Sequence, residues 1–144
     1  MTRHKKPAGR EAAFDYRALA EFRFQIRRFL RLSEEAARRA GLEPQQHQLL
    51  LAAKGLSDGT PSVRALAERL QIRHHSAVEL VDRTARRGLV RRVRDGRDRR
   101  QVRVELTPRG EKILRELTVH HRAMLGEAAP ALVETLHRLV PARV

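Results

Sequence analysis

Apolar residues recur every three or four positions along much of the chain, which is the pattern of amphipathic helices. The longest stretch of this kind covers residues 12–40, and Gly41 follows it at a position typical of a helix end. A second stretch, 45–56, is predicted to be a helix with four inward-facing residues: Leu49, Leu50, Leu51 and Ala53. These stretches predict a mainly α-helical protein.

Between residues 57 and 110 the pattern changes from helical to alternating. The cluster SDGTPS at 57–62 predicts a turn that leads into a very short strand near Ser62. Two helices are predicted next, at 63–70 and 74–87, with Ile72 between them and Gly88 at the end of the second. Two strands with apolar residues alternating against arginines then form a hairpin, for which 89–93 and 102–106 are the candidates. This order predicts a winged helix-turn-helix, in which the hairpin is the wing.

A further helix is predicted after the wing, with Thr107 as its N-cap and Pro108 in its first turn. Gly126 and Pro130 predict a kink or break, followed by a separate last helix. The first helix spans roughly 40 Å, which is longer than a small monomer covers. We therefore expect the terminal helices to form an intertwined dimer.

The charge points to a polyanionic partner. The formal net charge is +14, from 31 Lys and Arg against 17 Asp and Glu, and residues 86–103 alone hold nine arginines against two aspartates. Such an excess favours nucleic acid. The absence of cysteine excludes disulfides and thiolate zinc sites, and no apolar run approaches the roughly 18 residues of a membrane span, so a soluble cytoplasmic protein is expected.

The outward face of the second helix of the motif is the candidate reading surface. Helix N-termini favour phosphate, and short side chains one turn further along can reach base edges. The candidate DNA-contacting residues on this helix are Arg73, His74, His75, Ser76, Glu79 and Arg83. Arginines on the projecting wing can enter a minor groove or bind phosphates.

The segment LAERLQIRHHSAVELVDRTARRGLVRRVRDGRDRRQVRVELTPRG resembles the DNA-binding part of the MarR (multiple-antibiotic-resistance regulator) family, and the likeness extends over nearly the whole chain. It implies a homodimer that binds a pseudo-palindromic operator in double-stranded DNA, often a repressor released by a small lipophilic or anionic aromatic ligand. Asp98 and Arg100 match the D-x-R pair of the family's wing, with Arg97 and Arg99 as extra positive charge beside them. Two departures are Arg73, where a Ser or Thr N-cap is common, and Thr84, where Leu is usual.

The effector class does not follow from the resemblance. The redox-sensing branch needs a cysteine, and adjacent His120 and His121 diverge by about 100° on a helix, so neither a metal site nor a cofactor is expected. The candidate effector-lining residues are Arg23, Arg27, Gln45, Gln46 and His47. Helix-start polarity is the alternative explanation for residues 45–47, and the phenylalanines of 22–29 form either core or a pocket wall.

The predicted organisation has three parts. Residues 1–11 form a basic tail that is either disordered or an arm on phosphates, 12–56 and 111–144 form a helical dimerisation region, and 57–110 form the winged helix-turn-helix DNA-binding lobe. The alternative function is a sequence-tolerant architectural DNA- or RNA-binding protein, although few aromatic residues are present for RNA bases to stack on. An enzyme is not expected, because paired carboxylates, a nucleophile elbow and a phosphate-binding glycine loop are all missing.

Overall fold

The computed structural model describes residues 14–56, 59–94 and 101–140. Within these ranges there are five helices and one two-stranded sheet. Their order is α1 (Tyr16–Arg39), α2 (Pro44–Gly55), α3 (Val63–Leu70), α4 (His74–Arg86), β1 (Val90–Arg94), β2 (Val102–Leu106) and α5 (Pro108–Leu139). The predicted tail at 1–11 and the predicted wing tip at 95–100 lie outside the described residues. The mainly helical class and the winged helix-turn-helix are confirmed.

Side chains placed just before the helices set several of their starts. Asp15, Ser62 and Thr107 each accept a hydrogen bond from a backbone N–H in the first turn of α1, α3 and α5, at 2.9, 3.1 and 3.1 Å. Each bond satisfies one of the amides that a helix start leaves without a partner. Gly41 follows α1 with a φ of 81° and Gly88 follows α4 with a φ of 71°, so both end a helix as the sequence predicted.

Helices α1 and α5 lie side by side and form a long helical scaffold together with α2. The buried apolar residues of α1 are small: Ala18, Ala36 and Ala37. Two polar contacts join the pair: Gln25 Nε2 donates to Thr135 Oγ1 at 3.4 Å, and Ser33 Oγ lies 2.6 Å from His121 Nε2. The apolar core continues from this scaffold into α3, α4 and the sheet.

Of the kink or break predicted at Gly126 and Pro130, the break and the separate last helix are wrong, because α5 continues through both residues to Leu139. A proline inside a helix removes one backbone hydrogen bond and costs about 3 kcal/mol. Residues on both sides of Pro130 lie against α1, however. Met124 and Ala131 line a cleft together with residues of α1, and the buried Thr135 contacts Gln25 of α1. Packing of the two flanks on one neighbour holds the helix continuous across the proline.

The helix-turn-helix is formed by α3 and α4, joined through the left-handed residue Gln71 (φ 55°). The buried face of α4 consists of Ala77, Leu80, Val81 and Thr84. The Thr84 hydroxyl is fully buried and donates to the Leu80 carbonyl at 2.7 Å, so the departure from the usual leucine leaves no unpaired polar group at this position. Ile72 is half-buried against the core.

The wing is an antiparallel pair in which Val90 lies opposite Leu106 and Arg94 opposite Val102. The short strand predicted near Ser62 is reduced to an isolated bridge between Ser62 and Arg103, extended by the Val104 N–H donating to the Pro61 carbonyl at 2.9 Å. The bridge attaches the start of α3 to the outer edge of the wing.

One inward residue of α2 was predicted wrongly. Leu49, Leu50 and Ala53 are fully buried, whereas Leu51 is 52% exposed. Three consecutive residues span about 200° of a helix surface, so the run of leucines cannot all face one core.

Candidate nucleic-acid interface

The polar side chains of α4 fall on two neighbouring faces. His74, Val78 and Asp82 follow one another at four-residue spacing and face the wing: His74 and Val78 share a cleft with its strands, and Asp82 pairs with Arg92. His75 and Glu79 lie on the adjacent, exposed face. The sequence analysis placed His74, His75 and Glu79 on one reading surface; all three are exposed in the structure, and His74 also lines the cleft beside the wing.

The N-terminus of α4 differs from those of α1, α3 and α5. Its N-cap is Arg73, whose side chain makes no capping hydrogen bond. The N-cap residue is exposed, and so are His74 and His75 after it. Uncapped first-turn amides and the positive end of the helix dipole make this terminus suited to an anion such as a phosphate.

A cleft of about 680 Å³ separates the start of α4 from the wing. Its lining combines basic, polar and apolar side chains from α3, α4 and both strands: Ser62, Val63, Arg64, His74, Val78, Arg92, Arg94, Gln101 and Val102. Three of these are arginines, one from α3 and two from β1. Among the described residues no carboxylate lines the cleft. The cleft is therefore a concave, basic site suited to a polyanion, in which Arg64 and Arg92 each also have a carboxylate partner outside the lining.

Ion pairs join arginines of β1 and α3 to neighbouring carboxylates. Arg91 Nε lies 2.5 Å from Glu105 Oε1, on the residue directly opposite in the sheet. Arg92 Nη2 lies 2.5 Å from Asp82 Oδ1, which joins β1 to α4. Arg64 pairs with Glu68, its neighbour one turn along α3, at 3.7 Å.

The structure places the other predicted contact residues as follows. Ser76 is half-buried in the first turn of α4. Arg83 is directed back to the scaffold, where its Nη2 lies 3.4 Å from Glu43 Oε2. The four wing-tip residues lie outside the described ranges: Arg97, Asp98, Arg99 and Arg100.

Three lining arginines and one glutamine were not predicted from the sequence as contact residues: Arg64, Arg92, Arg94 and Gln101. The alternation of apolar and basic residues in VRRVR indicated only that one side of β1 is charged. Convergence of these side chains on α4 depends on the bridge at Ser62 and on the hairpin register, neither of which appears as a local pattern.

The five predicted effector-lining residues are not brought together. Arg23 and Arg27 lie exposed on α1, and Gln45 is exposed at the start of α2. Gln46 is buried, where its Oε1 accepts hydrogen bonds from the Glu43 N–H at 3.1 Å and from Arg87 Nη1 at 2.8 Å. The polar side chain of Gln46 therefore serves to hold the start of α2 and to bind Arg87.

Gln45 lines a second cleft, of about 370 Å³, between the scaffold and the turn of the helix-turn-helix. The scaffold side of this cleft also includes Glu34 and Gln48, and the other side includes Arg69, Leu70 and Ile72. A third cleft, of about 300 Å³, lies between α1 and α5 and is lined in part by Phe24 and Phe29. Phe24 is 57% exposed, so this phenylalanine is not core.

His47 of α2 is buried and faces His121 of α5, with 4.9 Å between the ring centroids. The two nitrogens of His121 already have partners, since Nδ1 lies 2.6 Å from the Leu117 carbonyl and Nε2 lies 2.6 Å from Ser33 Oγ. Among the residues described, no group of three or more metal-ligating side chains comes together. Burial, and then the charge of a protonated His121, lower the pKa of His47 below its ordinary value of 6.5.

This lowered pKa predicts a loss of stability in mild acid. The unfolded chain takes up a proton on His47 near the ordinary pKa, whereas the folded chain does so only at lower pH, so the free energy of unfolding falls as the pH drops below about 6.5. Urea unfolding at pH 7.5 and 5.5 measures the effect, and His47→Leu is expected to flatten it. His137→Leu, at an exposed position of α5, is the control and should leave the pH slope unchanged. Equal slopes in the wild type and the His47 variant would contradict the prediction.

Comparison with known proteins shows which family this chain resembles. Residues 40–101 match the MarR family. YsmB, an uncharacterized HTH-type transcriptional regulator of Bacillus subtilis (strain 168), is 33% identical over 69 residues, which cover 48% of this chain and 47% of that protein. The chain thus matches about half the length of this curated relative.

Two solved structures share the fold. A MarR family protein from Bacillus stearothermophilus is 27% identical with a TM-score of 0.69, over 80% of this chain and 81% of that one. A mutant of MepR from Staphylococcus aureus, bound to an oligodeoxyribonucleotide, is 21% identical with a TM-score of 0.63, over 84% of this chain and 83% of that one.

Within the described ranges, no helix is both long enough and apolar enough to cross a membrane.

Proposed function

We propose that the chain is a member of the MarR family of winged helix-turn-helix transcriptional regulators, whose family model matches residues 40–101, and that it is a homodimer that binds a pseudo-palindromic operator in double-stranded DNA. The family consists of transcriptional regulators and not of enzymes, in agreement with the expectation from the sequence. The observation that carries the DNA-binding proposal is the cleft of about 680 Å³ between α4 and the wing, with its three arginines and His74.

The cleft receives the sugar-phosphate backbone of one DNA strand. Arg64 and Arg94 approach it from opposite sides, and each guanidinium can donate two parallel hydrogen bonds to a phosphate. The uncapped start of α4 adds backbone amides and Arg73. A solved structure of the same fold, the MepR mutant, is bound to an oligodeoxyribonucleotide.

Base reading is assigned to the exposed face of α4 in the major groove. His75 and Glu79 are exposed there, and Ser76 lies at its edge. The wing tip, with Arg97, Asp98, Arg99 and Arg100, is proposed to reach the neighbouring minor groove. Phosphate contacts position the protein, and the α4 side chains supply the sequence preference.

A second copy of the chain covers the free ends of α1 and α5. Large apolar side chains remain exposed on both helices: Leu19, Phe24, Ile26 and Leu30 on α1, and Leu125, Val133 and Leu136 on α5. Large apolar side chains left exposed on two neighbouring helices support an interface there. The dimer holds two winged units for two half-sites about 10–10.5 bp apart, centre to centre.

The regulator is proposed to be a repressor that a small lipophilic or anionic aromatic ligand releases from DNA. The cleft of about 370 Å³ at Gln45 supports this, because it joins α1 and α2 to Leu70 and Ile72 beside the helix-turn-helix turn. A ligand held there contacts both the scaffold and the element that carries α4. Arg23 and Arg27 stay candidate ligand residues only in a dimer that brings a partner helix to them.

Binding to DNA from the region upstream of its own gene tests the function. Fluorescence anisotropy in 50 and 200 mM salt, with a scrambled duplex as competitor, is expected to give nanomolar binding to an inverted repeat and affinity at least 10³-fold weaker for the competitor. Equal affinity for both duplexes would instead support the sequence-tolerant architectural protein.

The two kinds of contact are expected to respond differently to substitution. Arg94→Gln should weaken binding to operator and scrambled DNA alike and lower the slope of log K against log salt by about 0.9 for each phosphate that the variant no longer neutralises. His75→Ala should alter the free-energy preference between bases by about 1–3 kcal/mol at one position of each half-site. Arg115→Gln, an exposed arginine on α5, is the control for the Arg94 variant. If the Arg94 and Arg115 variants lower the slope equally, the cleft is not the phosphate site.

A further inference from the structure

Asp82 is the carboxylate through which α4 contacts the wing. Its Oδ1 lies 2.5 Å from Nη2 of Arg92, the central residue of β1. Both side chains are partly exposed, at 39% and 41%. Asp82 stands two turns after His74 on the face of α4 that borders the cleft, and Arg92 lines that cleft from the opposite side. The ion pair therefore joins α4 to a residue that lines the site proposed for the DNA backbone.

The bridge at Ser62 attaches the hairpin on its β2 side, and an attachment on its β1 side adds to this, because a two-stranded hairpin by itself is only marginally stable. At its inner edge β1 begins at the buried Val90, while further along Arg91, Arg92 and Arg94 are all exposed. Beyond Val90, the contact between Arg92 and Asp82 is the ion pair that joins β1 to α4 within the described part of the chain. A charge-assisted hydrogen bond of this length also fixes direction.

We propose that Asp82 is a positioning residue for DNA recognition: it holds Arg92 and the wing at the angle to α4 that lets both elements contact one half-site together. The inference rests on the DNA-binding function proposed above. Specific binding needs base contacts from α4 and groove contacts from the wing at one fixed geometry. Non-specific binding to phosphates tolerates many geometries.

Simple charge counting gives the opposite expectation, which makes the proposal testable. Asp82→Asn removes a negative charge and frees Arg92 for a phosphate, so an electrostatic role alone predicts tighter binding to every sequence. A positioning role predicts that the ratio of operator affinity to scrambled-DNA affinity falls. Exposed ion pairs contribute little individually, so we expect a fall of about two- to fivefold for each winged unit and about 4- to 25-fold for a dimer.

Glu105→Gln is the matched control. Glu105 also pairs with an arginine of β1 at 2.5 Å, but both residues lie within the wing, directly opposite each other. The substitution removes the same charge without touching the link to α4. We expect it to raise affinity for operator and scrambled DNA by the same factor and to leave their ratio unchanged. Asp82→Glu, which keeps the charge, should restore most of the ratio that Asp82→Asn removes.

The experiment measures operator and scrambled-duplex affinities for the full-length wild type and the three variants, with hydrogen exchange of the β1 amides in the absence of DNA. Faster exchange at Val93 and Arg94 in Asp82→Asn than in Glu105→Gln, together with the reduced ratio, supports the proposal. An unchanged ratio in Asp82→Asn overturns it while leaving the DNA-binding function intact. A wild-type protein without sequence preference overturns the proposed function itself, and the exchange data then still report whether Asp82 holds the wing.

Discussion

Replacing Gly110 with alanine is expected to destabilise the protein by about 3 kcal/mol and to lower its Tm by about 10 °C. Gly110 is the third residue of α5, and a Cβ built on it would overlap the carbonyl oxygen of Leu89 and lie 3.0 Å from the carbonyl carbon. Both obstacles are backbone atoms, so no side-chain rotation relieves the clash.

The carbonyl oxygen of Leu89 is already a hydrogen-bond acceptor in the structure. Leu89 O accepts a hydrogen bond from the Thr107 N–H at 3.0 Å, and Thr107 caps α5 through Gly110 N–H. Moving Leu89 away from a new Cβ therefore disturbs the cap of α5 and the first residue before β1 at once. The glycine that ends the LTPRG motif is thus required by the close approach of α5 to the root of the wing.

Gly126→Ala in the same helix is the matched control for this prediction. A Cβ on Gly126 would meet nothing within 4 Å, and the residue is exposed in a helical conformation. Alanine there should stabilise the protein by about 0.5–1 kcal/mol, since glycine loses more backbone entropy on folding. Urea unfolding followed by circular dichroism measures both variants. Two variants of equal stability would show that the approach of α5 to Leu89 relaxes without cost.

Local patterns were sufficient to predict the helix-turn-helix and the wing. The turn chemistry around Gly88, the N-cap Thr107 and the period-two alternation of 102–106 each act over a few residues, and the structure keeps all three. The missing side-chain cap at Arg73 could also be read directly from the sequence.

Predictions failed where distant packing decides the outcome. Pro130 lies inside α5 because the residues on both sides of it lie against α1, and no window around the proline contains α1. The five effector candidates were chosen by residue type and stay a prediction; on α2, Gln46 and His47 face inward while Gln45 faces outward on the same helix turn. The cleft arginines were missed because Arg64 and Arg92 are 28 positions apart and meet only across the tertiary fold.

Breaking the proposed dimer is expected to reduce operator affinity by about 10²–10⁴-fold, the largest effect among these predictions. Leu19 and Ile26 are 48% and 37% exposed, seven residues apart on one face of α1. In the double variant Leu19→Glu/Ile26→Glu, a second copy would have to bury two carboxylates from each chain without partners, which costs several kcal/mol. A monomer keeps one winged unit and loses the gain of binding the second half-site as part of the same molecule.

Sedimentation equilibrium and operator binding, measured on the same preparations, test this prediction. The double variant is expected to sediment as a monomer with an unchanged helical circular dichroism spectrum, because both positions are exposed in the single chain. Leu51→Glu is the control, since Leu51 is 52% exposed but lies on α2, away from the ends of α1 and α5. It should remain dimeric and bind the operator as the wild type does. A dimeric double variant with full operator affinity would place the interface elsewhere, whereas a monomeric variant with full affinity would mean that one winged unit is sufficient for recognition.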